Sequence, residues 1–130
     1  MLISFDFDDT LCFQYENSLF PILDNIVLAK NIKNNGDKLI IVTARRPTES
    51  NQKFVFDFLV KFDINDLFDD VIFVGGIKGP TLKSLGVDCH YDNDEEEIIV
   101  ARKLGVRAIH RMTQGMRLRN IGHSSCEISV

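Results

Sequence analysis

Met1-Leu2-Ile3-Ser4-Phe5-Asp6-Phe7-Asp8-Asp9-Thr10-Leu11 opens the chain, and the rest of the sequence is best read outward from it. Ile3, Phe5 and Phe7 fall on alternate positions, the period of a strand, so a buried strand is expected near 2–6. Asp6 and Asp8, spaced i, i+2 at its carboxyl end, are then expected to point the same way into one small volume. Packing two like charges there is costly without a cation or a shared proton. Folds keep such strain chiefly where charge does chemistry. A strand followed by an Asp-rich turn would explain the same residues without any function.

Beyond this segment, apolar runs alternate with segments of helical period. Further strands are expected near 38–43, 71–74, 88–92 and 106–110, and helices near 18–34, 49–62, 79–85 and 94–104. In the first helix Leu19, Leu23, Ile26 and Lys30 share a face, with Pro21 near the start and Gly36 just past the end. Thr48 is the expected N-cap of the second, where Val55, Leu59 and Phe62 repeat at helical spacing. Asp94 and Glu97 fit a capping box at the fourth. Alternation of this kind implies parallel strands with right-handed crossovers, hence a three-layer, Rossmann-like α/β domain with a mostly parallel five-stranded sheet. In such sheets ligands lie beyond the carboxyl ends of the strands, where the strand order reverses.

The 130 residues are 45% hydrophobic and 26% charged, which fits one globular domain with a real core. No linker, repeat or low-complexity tract marks a boundary, so residues 1–130 are read as one domain with a polar, aperiodic tail at about 119–130. A net charge of -4 gives no global basic footprint for nucleic acid, although a nucleotide or nucleic-acid end held by local Arg and Lys stays open. No run approaches the roughly 18 apolar residues needed to span a bilayer, so no membrane partner is expected. Asp6 interrupts any secretory signal. Three cysteines, Cys12, Cys89 and Cys126, are odd in number and lack metal-ligand spacing. Free thiols in a reducing, cytoplasmic setting are the expectation, with Cys89 on a strand and Cys12 accessible beside the acidic segment.

Asp6-x-Asp8-x-Thr10 resembles the Asp-x-Asp-x-Thr signature of the haloacid dehalogenase (HAD) superfamily, whose members are mostly magnesium-dependent phosphatases. Leu39-Ile40-Ile41-Val42-Thr43 is similar to its second motif, an apolar strand ending in Ser or Thr, and Thr43 would donate to a phosphoryl oxygen. Arg45 and Arg46 follow, and either a solvated turn or a bidentate grip on phosphate accounts for them. Lys78, in Gly75-Gly76-Ile77-Lys78-Gly79-Pro80, resembles the third-motif lysine, with Lys83 as its rival. Val87-Asp88-Cys89-His90-Tyr91-Asp92-Asn93-Asp94 departs from the commonest fourth motif, since Asn93 stands where the principal metal-binding Asp is usual. An Asp-Asn pair also occurs in the carboxy-terminal-domain protein phosphatases, where the amide oxygen ligates magnesium. Residues 91–107 also look like the corresponding segment of class B acid phosphatases. Glu95, Glu96 and Glu97 suit the first turn of a helix. His90, on a strand leading into the site, is expected only to pack or to bond to backbone, and His110 and His123 have no partner in sequence.

The resemblance implies that Asp6 is the nucleophile and Asp8 the general acid and base, with Thr43 and Lys78 binding phosphoryl oxygens. It implies Mg²⁺ held by Asp6, the Asp8 carbonyl and Asn93, with Asp92 or Asp94 nearby. Residues 9–40 and 44–77 leave room for no cap domain. The implied substrate is a phosphorylated small molecule, nucleotide or macromolecular end, clasped by a flap at 11–20 or by a second subunit. On that flap Phe13 and Tyr15 could stack on a base, and Phe20 covers the core. A phosphotransferase, or a phosphate- or nucleotide-binding regulator that turns over poorly, is the alternative.

Overall fold

The computed structural model describes residues 1–111. His123, Cys126 and the expected tail at 119–130 lie outside the described residues. In chain order the elements are β1 (Leu2–Phe5), β2 (Cys12–Tyr15), β3 (Ser18–Pro21), α1 (Leu23–Asn34), β4 (Lys38–Thr43), α2 (Glu49–Lys61), β5 (Asp70–Phe73), α3 (Gly79–Leu85), β6 (Cys89–Asp92), α4 (Glu95–Lys103) and β7 (Arg107–His110). Five strands form one parallel sheet in the order β5-β4-β1-β6-β7. The order reverses at β1, so the crevice beyond its carboxyl end is the switch point of a Rossmann-like fold.

Strand alternation divides the core into two layers. Ile3, Phe5, Leu39 and Ile41 face α1 and α2, packing with Ile26, Ala29, Val55 and Leu59. Ile40 and Val42 face α3 and α4, packing with Leu82, Ile98 and Ala101. All five sheet strands and three of the four helices lie within about a residue of their expected ranges. The exception is the first helix.

That helix begins at Leu23, and Ser18–Pro21 is instead a strand paired antiparallel with Cys12–Tyr15. The turn between them is Glu16-Asn17, both at positive φ (48° and 65°), the conformation of a two-residue hairpin loop. Glu at the first turn position hides this signal, because Gly, Asn or Asp is the usual mark. Pro21 therefore ends a strand rather than opening a helix. Leu23 and Lys30 are exposed, and the buried face is Asn25, Ile26 and Ala29.

Thr48 caps α2 as expected, its hydroxyl accepting the Asn51 N–H at 3.1 Å. The expected capping box at α4 is replaced by a different arrangement. Asp94 accepts from the Glu96 N–H at 2.9 Å, while Glu97 turns away to accept the Lys78 N–H at 3.2 Å. This contact ties the start of α3 to α4. Gly79 makes the approach possible, since a Cβ there would lie 2.7 Å from Val100 Cγ1 and 3.0 Å from Leu104 Cδ1. Gly79→Ala is therefore expected to destabilise the fold by about 1–3 kcal/mol through overpacking. Urea denaturation measures this, and an unchanged midpoint would show that α4 yields freely.

Candidate active site

The segment after β1 is held by its own backbone. Asp6 N–H donates to Tyr91 O at 2.9 Å, extending the β6 pairing one residue beyond β1. The chain then turns, with Leu11 N–H donating to Phe7 O at 2.9 Å and Asp9 in the left-handed region at φ 59°. Thr10 Oγ1 donates to Asp6 Oδ2 at 3.2 Å, and the Asn25 amide from α1 fixes the Thr10 carbonyl at 2.7 Å. The strand stops at Phe5, and Asp6 and Asp8 border one cavity but pair with different side chains. Asp6 is buried, whereas Asp8 is half-buried on a different cation.

Lys78, the N-cap residue of α3, carries the buried centre. Its Nζ lies 2.8 Å from Asp6 Oδ1 and 2.7 Å from Asp92 Oδ2, with side-chain exposures of 3%, 8% and 0% for Lys78, Asp6 and Asp92. Glu97 Oε2 is a further 3.7 Å contact. Lys83, the alternative lysine, is exposed on α3. Two carboxylates sharing one ammonium titrate as a pair. Burial pushes Asp6 up to about 8, with Asp92 adding to the rise against the pull of Lys78. Burial would raise Asp92 also, but the hydrogen bond from His90 and the charge of Lys78 outweigh it and hold Asp92 below the usual carboxylate range. Lys78 loses to burial but gains more from its two carboxylates, so its pKa is raised and it stays an ammonium.

Arg45 turns to Asp8. Its Nε and Nη2 donate to Asp8 Oδ2 and Oδ1, both at 2.8 Å, while Nη1 donates to Asn51 at 2.9 Å. The guanidinium carbon also sits 4.4 Å from the Phe54 ring centroid. Bidentate pairing of this kind fixes both position and charge. Thr43 is fully buried at the end of β4 and accepts the Arg45 N–H at 3.2 Å, so its observed role is to shape this turn.

On the hairpin, Phe13 is buried with its ring centroid 5.7 Å from that of Phe20, which removes it as a stacking surface. Tyr15 remains exposed. Cys12, expected to be accessible, is buried instead, because its side chain faces the core under the hairpin. Burial, with Asp8 and Asp9 nearby, raises its thiol pKa.

A cavity of about 470 Å³ opens over these groups, lined by Asp6, Asp8, Asp9, Ala44, Lys78, Asn93, Asp94, Glu95 and Glu97. With so many carboxyl groups around one ammonium, the cavity favours a cation, and an anion would enter it only with added positive charge. No cluster of three His, Cys, Asp or Glu side chains suited to a metal occurs among the described residues. The fitting donor set is mixed. The Asn93 amide end stands 3.0 Å from Asp6 Oδ2 and 3.3 Å from the Asp8 carbonyl. Turned one way, its NH₂ donates to both oxygens; turned the other, its oxygen joins them as a third hard ligand suited to Mg²⁺. Asp92 does not belong to this set, since Lys78, His90 and the Asp94 N–H (3.0 Å) occupy its oxygens. Asp94 lines the cavity while capping α4.

Sequence reasoning missed the side-chain partners of His90. Its Nε2 is 2.8 Å from Asp92 Oδ2 and its Nδ1 is 2.6 Å from Ser4 Oγ. Ser4 and His90 were visible as two polar residues interrupting apolar strands, but their pairing depends on β1 lying beside β6. His110, for which the sequence offers no partner, lies 2.8 Å from the backbone carbonyl of Asn93. No family model and no curated protein matches this chain. No helix among the described residues is long and apolar enough to cross a membrane.

Proposed function

We propose that this chain is a Mg²⁺-dependent phosphomonoester hydrolase of the HAD type, working through an aspartyl-phosphate. The observation that carries the reading is Asp6. One of its oxygens is held by a buried ammonium, and the other faces the Asn93 amide end, which also stands 3.3 Å from the Asp8 carbonyl, in a cavity at the switch point. Asp6 attacks phosphorus, the ester P–O bond breaks, and the leaving oxygen takes the proton of the Asp8 carboxyl. Water then attacks phosphorus with Asp8 accepting its proton, and the Asp6–phosphorus bond breaks to release phosphate. Lys78 offsets charge on Asp6 and on the phosphoryl oxygens. Asp6, the Asp8 carbonyl and Asn93 would hold the Mg²⁺, which supplies the positive charge that a phosphate dianion needs in this acidic cavity.

Arg45 is divided between Asp8 and the substrate. In its observed position it grips both carboxyl oxygens of Asp8. An incoming phosphate competes for the same guanidinium and would leave those oxygens free for proton transfer. Thr43 acts by holding the Arg45 turn.

The substrate has room to be large. Residues 9–37 build only the β2–β3 hairpin and α1, and residues 44–69 build α2 and short turns. This supports a capless core that admits a nucleotide, a nucleic-acid end or a phosphoprotein. Tyr15 and Phe20 are the hairpin aromatics left to meet a base, Phe20 being exposed rather than covering the core as expected. A second reading, a phosphate- or nucleotide-binding regulator with poor turnover, is favoured by the Arg45–Asp8 pairing and by the missing charge at Asn93.

Phosphate release from an aryl phosphate with and without Mg²⁺ separates the two. Release that depends on Mg²⁺ is expected, and none with any phosphomonoester would leave the binding role. Asn93→Asp is expected to keep activity and lower the Mg²⁺ needed for half-maximal rate, whereas Asn93→Ala should raise it about tenfold or more. Identical titrations for the three proteins would reduce Asn93 to a packing residue.

A further inference from the structure

A polar chain runs through the apolar layer between the sheet and helices α3 and α4. Ser4 on β1 lies in register with His90 on β6, and two residues further along the same face stand Asp6 and Asp92. Ser4 Oγ, His90, Asp92 and Lys78 follow one another at 2.6, 2.8 and 2.7 Å, and Lys78 ends the chain on Asp6. Ser4, His90 and Asp92 are each fully buried. Ser4 pairs across the sheet with Ile40, which belongs with Val42 and Leu82 to the aliphatic cluster of this layer.

A valine or isoleucine at positions 4 and 90 would suit the layer without desolvating a hydroxyl and an imidazole. What the polar pair adds is direction. Asp92 Oδ2 accepts from both His90 and Lys78, and Oδ1 accepts from the Asp94 N–H, so the carboxylate has one orientation. That orientation places the Lys78 ammonium between the two carboxylates rather than on Asp92 alone.

We propose that His90, oriented by Ser4, is a positioning residue that fixes Asp92 and thereby aims Lys78 at Asp6. The hydrogen-bond assignment follows from the partners. The imidazole Nε2–H donates to Asp92, while Nδ1 accepts from the Ser4 hydroxyl. Buried groups that orient a first ring of functional residues commonly change activity about 10–100-fold when lost.

The kinetic part of the test rests on the phosphatase reading; the spectroscopic part does not. His90→Phe keeps ring volume but removes the donor, and His90→Gln places an amide N–H near the Nε2 position. On the full chain, His90→Phe is expected to lower kcat for an aryl phosphate about tenfold or more. His90→Gln should stay within about threefold of wild type despite a comparable loss in Tm. The ¹H–¹⁵N signal of the Lys78 ammonium, followed without substrate, should shift or broaden in His90→Phe and persist in His90→Gln. Equal kcat in both variants with an unchanged Lys78 signal would overturn the proposal. If His90→Phe does not fold, Ser4→Ala serves, with a several-fold fall in kcat and a perturbed Lys78 signal expected; wild-type values for both would overturn it equally. A wild-type protein that releases no phosphate from any phosphomonoester defeats the proposed function alone, and the Lys78 signal then decides the positioning role.

Discussion

Asp6→Asn should lose phosphatase activity by at least about a thousandfold while folding as well as wild type, or better. On the proposed mechanism the nucleophilic oxygen is gone, and an amide does not attack phosphorus at a useful rate. The fold tolerates the change because the partners suit an amide. Its oxygen still accepts from Lys78, and its NH₂ takes the place of Oδ2, 3.0 Å from the Asn93 amide end, whose oxygen can accept it. Burial pushes wild-type Asp6 up to about 8, so ionising it opposes folding. Its folded pKa lies above the unfolded value, so its contribution is fully present below about pH 4 and is lost as pH rises towards 8. In EDTA, wild-type stability should decline across that window and the Asn variant should decline less. Urea denaturation at several pH values reads this, alongside phosphate release. Near-wild-type turnover in the variant would move the nucleophile elsewhere, and parallel stability curves would mean that Asp6 is not strained.

Most of the sheet was legible because its signals are local. Leu39 to Val42 is a short apolar run, and Thr48 announces α2 by its own side chain. The hairpin was not legible because Glu16 carries a conformation that glycine, asparagine or aspartate normally signals. Asp6, Lys78 and Asn93 could be singled out because the segments that carry them resemble the HAD motifs at strand ends. Their pairing could not, because it depends on which strands are neighbours. Asp8 shows the limit. Spacing i, i+2 implies a shared direction only while the strand continues, and the strand ends at Phe5, leaving Asp8 to find Arg45 37 positions away. Ser4 and His90 lie 86 positions apart and become partners only through the β1–β6 register. Phe13 and Cys12 were misread for a related reason, since the hairpin that buries them was itself hidden.

Lys78→Met should be the most damaging single change to stability. It removes the one ammonium between Asp6 and Asp92, both buried, and leaves two carboxyl groups with no cation to share. Breaking a buried pair on one side costs about 3–5 kcal/mol, since the remaining charge keeps its desolvation penalty. Methionine matches the length of the lysine stem, so little of the loss should come from packing. The sign with pH distinguishes charge from volume. Without Lys78 the folded-state pKa of Asp6, already raised, rises further, and Asp92 loses a charge that holds its own pKa low, so the folded variant binds more protons than folded wild type. The deficit relative to wild type should therefore shrink as pH falls and protons take the place of the ammonium. Adding Asp6→Asn to Lys78→Met removes one stranded charge and should recover part of the lost stability, a coupling that a double-mutant cycle reads directly. A deficit that is constant with pH, together with strictly additive effects of the two substitutions, would mean that Lys78 acts by filling space rather than by holding Asp6 and Asp92 together.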